Sequence, residues 1–271
     1  MPEDPVVILS YARTPMGGFG GFLQGASAVQ LATTAVGAAV ERAGLAGPAV
    51  DRVYLGNVLS AGLGQAPARQ AAIGAGLGEH VEAVTVNKMC GSGMQAAMLA
   101  ADALAAGSAD LVVAGGTESM SNAPYLSHRH RHGARIGHDR LLDHMYLDGL
   151  EDAYEPGRLM GSFAEDAARE YQFTREAQDE YAIASLHRAQ AAQRSGAFDR
   201  EIVAVEVADR KGTRFVTQDE QPSRGDVARI PTLKPAFAEG GTITAANASS
   251  ISDGAAALVL ARQSVADRLG L

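Results

Sequence analysis

VEAVTVNKMCGSGMQAAMLAADALAAG, residues 81–107, is the stretch that decides the fold. Val81 to Met89 is rich in β-branched residues and reads as a strand. It runs straight into Cys90-Gly91-Ser92-Gly93, and an alanine-rich helix follows, ending near Gly107. Downstream, Asp110 to Ala114 is a further apolar strand, closed by Gly115-Gly116. Upstream, Asp51 to Gly56 reads as a strand and Pro67 to about Ala75 as a helix. Nearer the N-terminus, Val6 to Ser10 forms a strand, and Gly17, Gly18, Gly20 and Gly21 make a loop. Ser27 then caps a helix that runs to about Ala43 and stops at Gly44. Leu31, Ala35, Val36, Ala39 and Val40 give that helix one apolar side. Strands alternating with helices at this rhythm predict an α/β fold with a parallel or mixed sheet covered by helices.

The alternation breaks after residue 121. From Asn122 to Gly241 the chain carries histidines, arginines, loops and mostly polar helices, the clearest running from its cap at Thr174 to Ser195, with Gly196 beyond. Strand character resumes at Thr242, and Ala255 to Leu260 makes a last buried run. The expected organisation is one α/β unit, residues 1–121 and 242–271, interrupted by an inserted loop domain, residues 122–241.

The 271 residues are 46% hydrophobic and 20% charged, enough apolar material for a substantial core. A formal net charge of −8 argues against broad nucleic-acid binding. No stretch reaches the roughly 18 apolar residues of a membrane span. With one cysteine there is no internal disulfide framework, and a cytoplasmic setting is the simplest expectation.

Cys90 sits where a strand gives way to a helix. Such a junction turns a side chain out of the sheet, beside free helix N–H groups that favour the reactive thiolate. Gly91 and Gly93 remove bulk, so that a substrate carbonyl could approach the sulfur and nearby backbone donors. The competing reading is a small cysteine filling space, and the residues alone leave both open.

Asn87-Lys88-Met89-Cys90-Gly91-Ser92-Gly93-Met94 resembles the acyl-carrying cysteine motif of thiolases. Four further segments agree in order and spacing. They are Arg13-Thr14-Pro15-Met16-Gly17; Gly56-Asn57-Val58-Leu59 followed by Gly64 to Gln70; Ala114-Gly115-Gly116-Thr117-Glu118-Ser119-Met120-Ser121; and Thr244-Ala245-Ala246-Asn247-Ala248-Ser249-Ser250 with Asp253-Gly254-Ala255-Ala256. Together they span the whole chain.

The resemblance implies the layered thiolase fold, with the first α/β half and its inserted loop domain present and the second half absent. It also implies ping-pong chemistry, in which Cys90 takes the acyl group of an acyl-CoA and passes it on. The partners are then acyl-CoA and CoA, and no metal or redox cofactor is needed, CoA being substrate and carrier. Leu150, Met160, Ala245, Ala246 and Ser249 align with positions lining the family's pantetheine channel, and Arg224 with one near the CoA nucleotide. Core packing for Leu150 and Met160, and a solvated surface for Arg224, stand as alternatives. Members of the family also use a histidine in a Gly-His-Pro motif and a second cysteine. This chain has no Gly-His-Pro and only Cys90, so it is expected to need the missing C-terminal half to complete a cycle.

His128, His130 and His132 alternate with Arg129 and Arg131 and fit a solvated loop better than a metal site. By resemblance this is the region through which subunits associate, which implies a homo-oligomer for the complete protein. The run Thr244 to Ser249 is similar to acetoacetyl-CoA thiolases. Leu159 stands where many biosynthetic relatives carry a histidine, which keeps a 3-ketoacyl-CoA thiolase of fatty-acid breakdown as the enzymatic rival. A noncatalytic CoA-binding or assembly module is the alternative of another class.

Overall fold

The structure, a computed structural model, describes residues 4–209 and 212–271. The chain divides into two compact units. The first comprises Met1–Asn122, Phe198–Asp219 and Ser252–Leu271; the second comprises Ala123–Ala197 and Glu220–Ile251.

The first unit is built on a mixed sheet. Its strands are β1 (Val6–Arg13), β2 (Arg52–Gly56), β3 (Glu82–Val86), β4 (Leu111–Ser119) and, late in the chain, β7 (Ser252–Arg262). They lie in the order β1-β7-β4-β2-β3, and the short strand Gly17–Gly18 also pairs with β7. β2 runs parallel to β3 and β4, while β7 runs antiparallel to β1 and β4. Helix α1 (Ala28–Arg42) and helix α2 (Pro67–Gly74) share one core with Val53, Leu55, Val113, Ala257 and Val259 of the sheet. On the opposite face helix α3 (Ser92–Ala105) buries Ala96, Ala100 and Leu104 against Val112, Ala114 and Leu260. The alternation of side chains along a strand supplies both faces, so Val112 and Val113 go to different cores. Ser27 caps α1 as the sequence implied: its hydroxyl accepts from Gln30 N–H, and the Gln30 side chain accepts from Ser27 N–H.

Several elements differ from the sequence expectation. β4 does not end at Ala114 but runs through Gly115 and Gly116 to Ser119. A Cβ on Gly115 would lie 2.0 Å from the Ala256 carbonyl oxygen, so the glycine lets the ladder continue where a side chain would break it. The hairpin β5 (Val205–Asp209) and β6 (Gly212–Val216), which falls within the expected insertion, groups with the first unit. Val205, Val207 and Val216 are buried in the same core as α1. No strand forms at Thr242, and the chain re-enters the sheet at Ser252. The N–H groups of Thr242 and Ile243 are taken by the Glu165 carboxylate and that of Thr244 by Asn247 Oδ1, which leaves no ladder for them to join.

The second unit holds helix α4 (Met160–Glu170) and the 21-residue helix α5 (Arg175–Ser195), capped by Thr174 and stopped by Gly196 in a left-handed conformation. It also contains the five-residue helix α6 (Glu220–Arg224). Among the described residues no helix is long and apolar enough to cross a membrane.

Arg13, at the end of β1, fixes the Phe198–Asp219 segment. Its guanidinium makes a two-pronged contact with Asp219, at 2.8 and 2.9 Å, and donates from Nε to Glu201 at 2.6 Å. The side chains of Arg13 and Asp219 are only 20% and 9% exposed, so the pair is largely shielded from water. Replacing Arg13 by leucine leaves two carboxylates without their cation. The expected loss is about 2–4 kcal/mol in urea unfolding, between the values for exposed and fully buried pairs. A loss below about 1 kcal/mol would show that solvent screens the site.

Candidate functional site

The link from β3 to α3 is the five-residue elbow 87–91, and it carries Cys90 exposed at the surface of the first unit. Met89 has φ +49°, the left-handed region that a residue with a side chain enters at a cost of about 1–2 kcal/mol. This reversal turns the chain from strand into helix within a few residues. Three side-chain hydrogen bonds hold it, beside two backbone turn bonds, from Gly91 N–H to the Lys88 carbonyl at 3.1 Å and from Ser92 N–H to the Met89 carbonyl at 3.0 Å. Lys88 N–H donates to Ser92 Oγ at 2.8 Å, Ser92 Oγ–H donates to the Met89 carbonyl at 2.6 Å, and Met89 N–H donates to Asn87 Oδ1 at 3.0 Å. Ser92 itself is buried.

Glycines set how closely the elbow approaches the sheet. A Cβ on Gly56, the last residue of β2, would lie 2.6 Å from the Ser92 carbonyl carbon and 2.7 Å from Gly93 N. On Gly116 it would lie 3.4 Å from Gly56 O and 3.5 Å from Gly93 Cα. The first turn of α3 therefore rests backbone-to-backbone on β2 and β4. Gly93 faces the sheet, where a Cβ would sit 3.8 Å from Gly115 O, in ordinary contact.

Two motifs far apart in sequence meet next to this contact. The Glu118 carboxylate accepts from Val58 N–H and Leu59 N–H, each at 3.0 Å, and from Asn57 Nδ2 at 2.8 Å. At the same end of β4, Asp253 accepts from Ser121 N–H at 2.9 Å and from the Ser121 hydroxyl at 2.6 Å. Burial pushes the Asp253 carboxyl up, and the hydrogen bonds from Ser121 and Ser119 pull the other way without cancelling it. The sequence contains each of these segments but no local signal of their pairing, since each carboxylate lies far along the chain from the N–H groups it binds.

The six residues expected to contact CoA, Leu150, Met160, Arg224, Ala245, Ala246 and Ser249, all lie in the second unit, whereas Cys90 lies in the first. Leu150 is half-buried at the end of the π-helical turn Tyr146–Leu150, and Met160 opens α4. The ring of Phe237 lies against Gly161, one residue from Met160, where a Cβ would meet it at 2.4 Å. Arg224 is exposed but tied to buried Glu220 one helical turn before it. Ala245 and Ser249 are exposed and Ala246 is half-buried. A groove of about 450 Å³ in this unit is lined by Tyr125, Leu141, Leu142, Asp143, Tyr146, Leu147 and Glu151, and takes in none of the six.

The loop that bears Ala245, Ala246 and Ser249 is held by polar groups that sequence reasoning missed. Glu165 on α4 accepts from Thr242 N–H at 2.9 Å and Ile243 N–H at 2.8 Å. Burial pushes its carboxyl up, but these donors and the Thr242 hydroxyl outweigh that and hold it below the ordinary value. Asn247 accepts from Thr244 N–H at 2.7 Å and donates to buried Asp179 at 3.2 Å; Asp179 in turn receives Arg175 Nε at 2.7 Å. His128, His130 and His132 are exposed, and His130 contacts Asp139 at 2.8 Å.

The chain as a whole is similar to known proteins. Residues 6–264 match the family model described as thiolase, N-terminal domain. The chain is 52% identical over its full length to acetyl-CoA acetyltransferase 2 of Arabidopsis thaliana, covering 67% of that protein. It is 50% identical to an acetyl-CoA acetyltransferase of Cupriavidus necator, over 98% of this chain and 68% of the relative. Among solved structures, the Acat5 thiolase of Ascaris suum in complex with coenzyme A superposes with a TM-score of 0.91 at 42% identity, over 98% of this chain and 68% of that one. The chain thus spans about two thirds of the length of these relatives.

Two predictions follow from the geometry. Gly56→Ala forces α3 off the sheet and is expected to cost about 1–3 kcal/mol in urea unfolding, the range for overpacking; an unchanged midpoint would mean the helix end has room to move. Glu165 provides a pH test. A carboxylate held below its unfolded value of 4.5 contributes stability above that pH and loses it as the pH falls through the folded value. Wild type should therefore be more stable than Glu165→Gln at pH 7, and the gap should close below pH 4.5. A gap that stays constant across that range would refute the carboxylate's role.

Proposed function

This chain belongs to the thiolase family, and on that premise we propose that it is the acyl-accepting portion of an acetyl-CoA acetyltransferase, with Cys90 as the nucleophile. The observation that carries the reading is the exposed thiol on a locked, left-handed elbow at the start of α3. The names of its most similar relatives support acetyl as the acyl group.

In the proposed step the Cys90 sulfur attacks the carbonyl carbon of an acetyl-CoA thioester. Charge collects on the carbonyl oxygen, where the backbone N–H of Cys90 helps to stabilise it. The tetrahedral species collapses with loss of CoA thiol, which carries the proton given up by Cys90, and leaves an acetyl-cysteine. The second stage removes an α-proton from another acetyl-CoA, whose carbanion then attacks the acyl carbon; the bond from that carbon to the Cys90 sulfur breaks, the sulfur takes a proton back, and acetoacetyl-CoA leaves. The reverse sequence cleaves acetoacetyl-CoA.

That second stage needs an acid/base that these 271 residues do not match, since Cys90 is the sole cysteine. We assign it to a second α/β half. Support comes from the two-thirds span of the relatives and from α3, whose outer face leaves Met94 73% and Met98 55% exposed one turn apart. Leu150, Met160, Ala245, Ala246 and Ser249 are assigned to the pantetheine arm of CoA, and Arg224 to its nucleotide end. The exposed basic loop around His128 to His132 is assigned to association of complete subunits into a homo-oligomer.

The test is intact-mass analysis after incubation with acetyl-CoA, alongside Cys90→Ala. An acetyl adduct present in wild type and missing from the variant is the expected result. An adduct that persists in Cys90→Ala would overturn the assignment. CoA binding without any adduct would favour a noncatalytic CoA-binding module.

A further inference from the structure

We propose that Ser92, together with Asn87, is a positioning residue for Cys90: their side chains hold the Met89 reversal that aims the thiol and its backbone N–H at an acyl carbonyl. The inference rests on the reading of Cys90 as an acyl acceptor and deepens it.

Neither residue is Cys90's direct neighbour, and the hydrogen bonds are specific. Ser92 Oγ serves both sides of the reversal, accepting from Lys88 N–H and donating to the Met89 carbonyl. These bonds fix the Asn87–Lys88 peptide and the Met89–Cys90 peptide on either side of the reversal. Asn87 Oδ1 takes the one N–H between them, that of Met89. The residue under clamp is the one whose φ of +49° its own side chain disfavours. Released from the clamp, Met89 is free to relax toward negative φ, and the Cys90 N–H swings with the peptide that joins the two residues. Gly56 adds the reference surface, since it seats the backbone of Ser92 and Gly93 directly on β2. Ser92 is thus anchored to the sheet by its main chain, and to the elbow by its side chain and by its N–H, which donates to the Met89 carbonyl. A methyl group in its place keeps the main-chain attachments and loses both side-chain bonds.

The distinction between holding the fold and aiming the thiol can be read because Cys90 is the only cysteine. Two reagents that need no CoA site report on it. Iodoacetamide alkylates by direct displacement, in which the sulfur–carbon bond forms as iodide leaves, with no oxyanion. p-Nitrophenyl acetate acylates through a tetrahedral oxyanion: the sulfur–carbon bond forms, p-nitrophenolate leaves, and the thiol proton goes to water. The ratio of the acylation rate to the alkylation rate therefore reports how well the N–H donor is aimed, whatever the thiol's overall reactivity.

The full chain and its Ser92→Ala, Ser92→Thr and Asn87→Ala variants would be measured this way, with N-acetylcysteine amide as the unaimed reference and thermal unfolding as the check on folding. The wild-type ratio is expected to exceed that of the free thiol by about tenfold or more, since small displacements of reacting groups cost factors of this size or larger. Ser92→Ala should bring the ratio down about fivefold or more, Ser92→Thr should restore it, and Asn87→Ala should give a smaller drop. If Ser92→Ala does not fold, the exposed Asn87 position decides the matter by itself. A high wild-type ratio that neither alanine variant lowers would overturn the positioning role while leaving Cys90 as acyl acceptor. A wild-type ratio equal to that of the free thiol would overturn both the positioning role and the preorganised site it serves.

Discussion

The backbone of the first turn of α3 rests directly on the backbone of β2 and β4, and the rest of the first unit is arranged around that contact. It requires glycine at position 56, because any Cβ there would overlap the Ser92–Gly93 peptide. Gly115 and Gly116 extend β4 past the same point, and at Gly115 a Cβ would overlap the Ala256 carbonyl of β7. With the helix seated this low, the chain has only a few residues in which to climb from β3 into α3. A left-handed residue at Met89 supplies the required turn, and Cys90 becomes the first side chain beyond it. The exposed thiol is thus a geometric consequence of close helix–sheet packing.

A second device recurs where loops must be held without a ladder. Glu118 gathers the N–H groups of Val58 and Leu59, Asp253 that of Ser121, and Glu165 those of Thr242 and Ile243. In each case one carboxylate does for irregular backbone what a neighbouring strand would do for regular backbone. Charge-assisted bonds are the stronger kind, so few are needed per loop. The environments differ in consequence: burial prevails at Asp253 and raises its carboxyl, while donors prevail at Glu165 and lower it.

The alternating half of the fold was legible because its signals are local. The capping pair Ser27–Gln30, the β-branched run before Cys90 and the stop at Gly44 each act within a few residues of where they are read. What escaped is what depends on distant partners. Thr242 and Ile243 look like strand residues, yet Glu165, some eighty positions earlier, claims their N–H groups. The hairpin at Val205–Val216 belongs with the first unit because of the core it joins and the salt bridges of Arg13, neither visible in its own composition. The position of Cys90 could be read from its strand-to-helix setting. The reversal at Met89 could not, since nothing in a methionine announces positive φ.

Magnitudes explain why the elbow needs more than its sequence neighbours. The left-handed conformation of Met89 costs about 1–2 kcal/mol. Each of the three side-chain hydrogen bonds that hold it contributes about 0.5–1.5 kcal/mol net, a size comparable with the strain. With the Ser92 hydroxyl gone, two of these three are lost, and Asn87 is left to hold the reversal with the backbone turn bonds from Gly91 and Ser92 N–H. The backbone contact at Gly56 still fixes where the helix begins, but it does not fix the peptide that precedes Cys90. Helix position and thiol orientation are therefore controlled by different atoms, one set in the sheet and one in the elbow.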